Sequence, residues 1–207
     1  MVQVSPSSIL FHRRPKELPK FQRAFRRFAC TRIPRFFNPA VLRNIQARLS
    51  EKEFYNRFDS GIAYESCMKK NDLFGFLHFL LNDEILFRFV EHLTGCGTIR
   101  CFLGRLYRMV PGESHYNTWH NDMDGKRMIG LSINLGSSSF RGGYLEIRDE
   151  IRKKIKRRIA NTTPGDAVLF QVSDDLKHRV TPVRGRHPRI AFVGWFQHSP
   201  PFTSLLK

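Results

Sequence analysis

In the run Trp119-His120-Asn121-Asp122, an imidazole and a carboxylate stand two residues apart. Both side-chain types bind divalent first-row metals. On an extended strand, residues two apart share a face. That spacing lets His120 and Asp122 grip one ion from one side while Asn121 points away. A third ligand must come from elsewhere, and His178, in Asp175-Leu176-Lys177-His178-Arg179-Val180, is the best candidate. Two imidazoles and one carboxylate on one face leave three octahedral positions open, an arrangement that suits ferrous iron. His-x-Asp alone is a weak signal, because an isolated histidine is more often a hydrogen-bonded strand or loop residue. His115 falls at an odd separation from His120, which sends it to the opposite strand face, and His187 and His198 lack a matching pattern downstream.

A second charged group belongs with this set. Arg189 opens the apolar run Arg189-Ile190-Ala191-Phe192-Val193-Gly194-Trp195-Phe196, and its face continues through Ala191, Val193 and Trp195. A guanidinium at the mouth of an apolar barrel suits bidentate capture of a carboxylate. Arg184 and Arg186 compete for that role, but the turn from Pro182 to Pro188 leaves them to solvent.

The elements that must hold these residues change character along the chain. Val2 to Leu10 reads as a loose tail, and the phenylalanines at 21, 25 and 28 argue for folded structure rather than a cleaved leader. Ala29 to Phe37 reads as extended and, with Pro34 inside, near a sheet edge. Asn38-Pro39 caps and starts a helix carrying Val41, Leu42, Ile45 and Leu49. A second helical block opens at Asn71-Asp72 and stops at Gly95 and Gly97. From Thr98 onward, short apolar segments alternate with turns: Ile99 to Val110, Met128 to Leu135, Gly143 to Ile147, Ala167 to Val172 and Arg189 to Phe196. That rhythm predicts an all-β sandwich or barrel. The expected architecture is mainly β with N-terminal helices (α+β): one domain over 1–207, with 1–97 a mostly helical support and 98–198 a jelly-roll core.

Composition narrows the setting. The 207 residues carry 35 Lys plus Arg against 18 Asp plus Glu, a net charge of +17, which attracts nucleic acid, acidic lipid, acidic proteins and anionic metabolites alike. The basic run 151–158 reads as a solvated loop or short helix, or as a recruiting patch for an acidic partner. No apolar stretch approaches the roughly 18 residues of a membrane span. Cys30, Cys67, Cys96 and Cys101 form no CxxC pair, so reduced thiols in a cytoplasmic setting are expected, and zinc at Cys96 and Cys101 lacks a second ligand pair.

Taken in order, Trp119-His120-Asn121-Asp122, Phe140-Arg141-Gly142-Gly143-Tyr144-Leu145-Glu146-Ile147, Pro164-Gly165-Asp166-Ala167-Val168-Leu169-Phe170, His178 and Arg189 resemble the 2-oxoglutarate/Fe(II)-dependent dioxygenase superfamily, in its prolyl 4-hydroxylase-like branch. The likeness spans roughly Ile99 to Phe196. It implies a double-stranded β-helix holding Fe(II) through His120, Asp122 and His178, with the C5 carboxylate of 2-oxoglutarate paired to Arg189. It implies hydroxylation of an aliphatic C–H on a protein, peptide or small molecule, with 2-oxoglutarate and O2 consumed and succinate and carbon dioxide released. Such chemistry admits ascorbate as a reductant.

Several positions depart from the family pattern. Many relatives place a Tyr just ahead of the Pro-Gly turn to assist the 2-oxoglutarate carboxylate. Here Met109 and Val110 precede Pro111-Gly112, and Tyr107 takes that role only with a shifted strand. An inward Tyr of some relatives is Ser132 here, which can still donate one hydrogen bond. Asp122 argues against the halogenating variants. Trp195, where the DNA-dealkylating branch tends to carry a second Arg, lowers nucleobase repair despite the basic charge. The competing readings are a non-catalytic basic module for nucleic acid or an acidic partner, and a metal-binding cupin-like protein that uses no 2-oxoglutarate.

Overall fold

The computed structural model describes residues 2–4, 9–11, 17–49, 53–160 and 163–201. Its strands are β1 (Val2–Val4), β2 (Ile9–Phe11), β3 (Cys30–Ile33), β4 (Phe54–Asp59), β5 (Ala63–Met68), β6 (Cys101–Met109), β7 (Tyr116–Asn117), β8 (Arg127–Asn134), β9 (Arg141–Gly142), β10 (Leu145–Asp149), β11 (Lys154–Ile159), β12 (Ala167–Gln171), β13 (Leu176–Val180), β14 (Val183–Arg184) and β15 (Arg189–Gln197). Its helices are α1 (Leu18–Phe28), α2 (Pro39–Arg48), α3 (Asp72–Leu81) and α4 (Glu84–Thr94).

The strands form a curled jelly roll. An antiparallel major sheet runs β3-β12-β8-β15-β6-β5-β4, with β7 beside β5, and a minor sheet runs β11-β10-β13. Alternation along β15 divides the chain's two cores. Phe192 and Phe196 face backward into a cluster with α3 and α4 residues such as Leu77, Leu81, Leu86 and Val90. Ala191 and Val193 face inward with Tyr107, Phe170, Leu145 and Val180, between the two sheets. Gly194 and Gly104 lie opposite each other on β15 and β6. A Cβ on Gly194 would sit 2.3 Å from the Leu103 carbonyl oxygen, so only glycine permits this approach.

The helices start where their caps dictate. The Asn38 side chain accepts from Ala40 N at 2.7 Å, and Pro39 follows in the first turn. The expected single helical block from Asn71 to Gly95 is instead two helices. Asn82 breaks it: its amide donates to Phe102 O at 2.9 Å and accepts from Phe102 N at 2.7 Å, as a paired strand residue would. Asp83 then caps α4 through Ile85 N and Leu86 N. The block ends at Gly95, left-handed at φ 74°.

Other expectations need correction. The supposed loose tail contains β1 and β2, paired to each other, and Val4 is buried and bridges to Phe37; Ser5 to Ser8 lie outside the described residues. The 1–97 segment is more than a helical support, since β3, β4 and β5 extend the major sheet. The basic run is neither loop nor helix at its C-terminal end, because Lys154–Ile159 pairs with β10 at the sheet edge. Among the described residues no helix is long and apolar enough to cross a membrane, and all four cysteines are free thiols.

Candidate functional site

His120 and His178 meet through the backbone. They form an isolated antiparallel bridge, His120 N donating to His178 O at 3.1 Å and His178 N to His120 O at 2.8 Å. Directly opposed residues present their side chains to the same face, and the two imidazole centroids lie 4.3 Å apart. Asn117 extends the strap, its side-chain oxygen accepting from Val180 N at 2.7 Å.

Asp122 reaches the pair by a different route from the one its spacing suggests. The segment after His120 is not a strand, and Asp122 takes a left-handed conformation at φ 58°. Asp tolerates this better than most side chains. The result is the same convergence: His178 Nε2 lies 3.0 Å from Asp122 Oδ2 and His120 Nε2 lies 3.4 Å from Asp122 Oδ1. One ligand atom from each of the three residues falls within 4.8 Å of the others. Among the described residues this is the one such metal-competent group.

The protonation chemistry favours a cation here. His120 Nδ1 lies 2.7 Å from Thr118 O, so its proton belongs on Nδ1 and the lone pair of Nε2 points at the carboxylate. Burial, and then the neighbouring His178, lower the His120 pKa and keep the ring neutral, as a metal ligand must be. Burial alone would raise the Asp122 carboxyl. Its hydrogen bond to His178, the electrostatic pull of the two imidazoles and a hydrogen bond from Trp195 instead hold it far below the carboxylate range. Two imidazoles and an ionised carboxylate on one face fit Fe(II).

The same cleft continues along the major sheet to Arg189, whose side chain is only 3% exposed. Its Nη2 donates to Ser132 Oγ at 2.9 Å, and its Nη1 donates to the Tyr107 hydroxyl. No strand shift is needed to bring Tyr107 there. β6 runs unbroken against β15 with Tyr107 opposite Ala191, so alternation alone turns it inward. Burial raises the Tyr107 pKa against the pull of Arg189, which keeps the phenol neutral. Tyr107, Ser132, Arg189 and the three metal-competent residues all line one cleft that opens to solvent.

The other described histidines lie outside this cleft. His115 is buried and accepts from Val110 N at 2.9 Å, which fixes the Pro111-Gly112 turn. Arg184, Arg186 and His187 are exposed. Sequence reasoning placed Trp195 on the inner face but missed its role: Nε1 donates to Asp122 Oδ2 at 2.8 Å. It missed Glu65 and Arg105 altogether, both of which line the cleft. Alternation from Tyr107 would have turned Arg105 inward, whereas the β4–β5 hairpin that carries Glu65 gave no clear pattern.

Residues 104–197 match the model of the 2OG-Fe(II) oxygenase superfamily. No curated protein matches the chain in sequence. A prolyl-4-hydroxylase from Pseudomonas putida is similar in structure at a TM-score of 0.66 and 19% identity, over 88% of this chain and 99% of that one. A 2OG-Fe(II) oxygenase family oxidoreductase from Burkholderia pseudomallei superposes equally well, at 0.66 and 19%, over 89% and 92%. A prolyl hydroxylase from Trichoplax adhaerens, in complex with a hypoxia inducible factor oxygen degradation domain peptide fragment, gives 0.62 and 14%, over 90% and 94%. The segment that carries His120, Asp122, His178 and Arg189 thus matches the 2OG-Fe(II) oxygenase superfamily, a family of enzymes, and the fold around it is that of the prolyl 4-hydroxylase-like oxygenases.

Proposed function

We propose that the chain is a 2-oxoglutarate- and Fe(II)-dependent dioxygenase that hydroxylates an aliphatic C–H of a protein, peptide or small-molecule substrate. One observation carries the reading: a three-donor metal face and a buried arginine share one cleft, which also opens to solvent. His120, Asp122 and His178 would hold the metal, and Arg189, with Ser132 and Tyr107, would receive the distal carboxylate of 2-oxoglutarate. Iron bound there with 2-oxoglutarate and O2 would supply the oxidising power, with succinate and carbon dioxide as co-products.

The protein's own part is positioning. Thr118 O fixes the His120 tautomer and Trp195 fixes one Asp122 oxygen, so two of the three donors are oriented by a second hydrogen bond. Ser132 and Tyr107 orient the Arg189 fork, which receives a planar carboxylate by two parallel bonds. Leu131, Leu145, Phe170, Val180 and Val193 set apolar surface between the polar groups of the lining, which strengthens each polar contact. The Trichoplax enzyme's peptide fragment supports a peptide-borne carbon as one form the substrate can take.

The test is succinate formation from 2-oxoglutarate with Fe(II) and ascorbate, beside a His120→Ala control. Wild type is expected to turn over, coupled or uncoupled, and the variant to lose turnover. A wild-type protein that binds neither Fe(II) nor 2-oxoglutarate defeats the reading.

A further inference from the structure

Beside the two groups already assigned, the cleft holds a second guanidinium. Arg105 lies on β6 two residues before Tyr107 and opposite Val193 on β15, so it shares the inward face with both. Its Nε donates to Glu65 Oε1 at 2.7 Å, and Glu65 is 2% exposed. Arg57 and the Cys67 thiol lean on the same carboxylate oxygen, at 3.3 and 3.5 Å. The guanidinium carbon sits 5.8 Å from the Tyr107 ring centroid and 5.5 Å from that of Trp195. Arg105 is therefore held by its elbow and flanked by two aromatic rings.

An arginine kept only to neutralise Glu65 would present its fork, because two parallel N–H···O bonds are the stronger arrangement. Here Nε alone is spent. Among the described residues the two Nη nitrogens have no acceptor, while the side chain keeps 27% of its exposure and lines the cleft. A guanidinium oriented from behind with an open fork is a preorganised receptor for a planar anion. Arg189 differs in just this respect, since both of its Nη nitrogens are already positioned by Ser132 and Tyr107.

We propose that Arg105 is a second carboxylate receptor in the cleft, and that the molecule hydroxylated there carries a carboxylate which Arg105 grips. This rests on the oxygenase reading and adds the substrate class to it. The slot between two rings selects a flat oxyanion. The carboxylate can belong to a free organic acid or to the acidic end or side chain of a peptide.

The test is calorimetric titration of protein saturated with Zn(II) and 2-oxoglutarate, using two panels of probes. One panel is the straight-chain carboxylates from butanoate to octanoate with their primary amides. The other is N-acetylated tetrapeptides ending in a free acid or an amide, or carrying Asp or Asn. At least one acid is expected to bind tenfold or more tighter than its amide, and the panel that shows the preference identifies the source. In R105Q the preference should fall below twofold. E65Q/R105Q, which leaves no unpaired buried carboxylate, should show the same loss if R105Q alone folds poorly. Equal binding of acids and amides, no binding in either panel, or a preference that survives in these variants overturns the proposal. So does acid binding that vanishes once 2-oxoglutarate saturates the protein, because Arg105 then serves the co-substrate. Failure of the oxygenase reading would show separately, as loss of the initial Zn(II) and 2-oxoglutarate titrations. The acid-against-amide comparison could still be read on metal-free protein.

Discussion

The two walls of the cleft are built to different standards. On the major sheet, β15 pairs with β6 over nine consecutive residues without a register shift, and α3 and α4 pack behind it. Arg189, Ser132 and Tyr107 sit on three neighbouring strands of this wall. On the minor sheet, five-residue β10 pairs with β11 through a register shift at Ile147/Arg148. Its outward face carries the charged side chains Arg148, Arg158, Lys177 and Arg179. His178 belongs to this thinner wall, and its two metal-competent partners hang from a loop joined to it by one bridge. A carboxylate anchor needs fixed geometry before the co-substrate arrives. A metal site can be completed by the ion, whose binding energy orders the loop that holds it.

The largest effect expected follows from that asymmetry. Zn(II) or Fe(II) at about 100 times its Kd stabilises a protein by ~2.7 kcal/mol, or about 5–10 °C in Tm for a domain of this size. Differential scanning fluorimetry should show this rise in wild type and none in Asp122→Ala, which should also lose more turnover than the roughly 10–100-fold cost of a supporting residue. A full metal shift in the variant would remove the loop from the metal site. The opposite wall should behave in the opposite way. Arg189→Met removes a charge-assisted anchor worth about 1.5–3 kcal/mol, so the Kd for 2-oxoglutarate should rise roughly 10–150-fold while the metal shift persists. Loss of both responses together would mean that the walls are coupled rather than independent.

The same division explains what the sequence disclosed. The major wall was legible because long buried strands leave continuous apolar runs: Ala167–Gln171 and Arg189–Gln197 lie within a residue or two of their expected bounds. Helix α2 was legible from Asn38-Pro39, a signal that acts locally. Helix α1 went unnamed although Phe21, Phe25 and Phe28 lie on one helical face, because the surrounding Arg and Lys masked the period. The β4–β5 hairpin escaped because its outer strand exposes Tyr55 and Phe58 and so shows no clean alternation. At the site, residue types pointed to the metal-competent set, but the reason offered for His120 and Asp122 was strand alternation, and the chain uses a left-handed turn instead. The Trp195–Asp122 bond spans 73 residues, and no local pattern encodes such a contact.

Trp195 joins the two walls, being a major-sheet residue bonded to the loop. Trp195→Phe keeps the ring and removes the Nε1 donor, leaving Asp122 Oδ2 held by His178 alone. The expected cost is about tenfold in metal affinity, read by competition with a metal-binding dye, with little change in the Tm of metal-free protein. A loss of metal-free stability as large as the loss of affinity would make the indole a packing residue rather than a positioning one.

The smallest effect should come from behind the major wall. His78 on α3 is buried; its Nε2 accepts from Gly104 N at 3.1 Å, and its Nδ1 lies 2.9 Å from Phe74 O. That pattern requires a neutral ring, and burial lowers its pKa despite the two backbone hydrogen bonds. Below the ordinary histidine value of about 6.5 the unfolded chain therefore takes up a proton that the folded chain refuses, so stability falls as pH drops through that value and is flat above it. His78→Gln offers Gly104 an oxygen acceptor that does not titrate. Metal-free wild type should lose on the order of 1 kcal/mol more than H78Q between pH 7.5 and 5.5, the scale of one buried donor left unpaired. Urea midpoints at the two pH values measure that difference. Parallel losses in the two proteins would assign the acid sensitivity to the thinner wall and its exposed charges, and leave the helix-backed wall indifferent to pH.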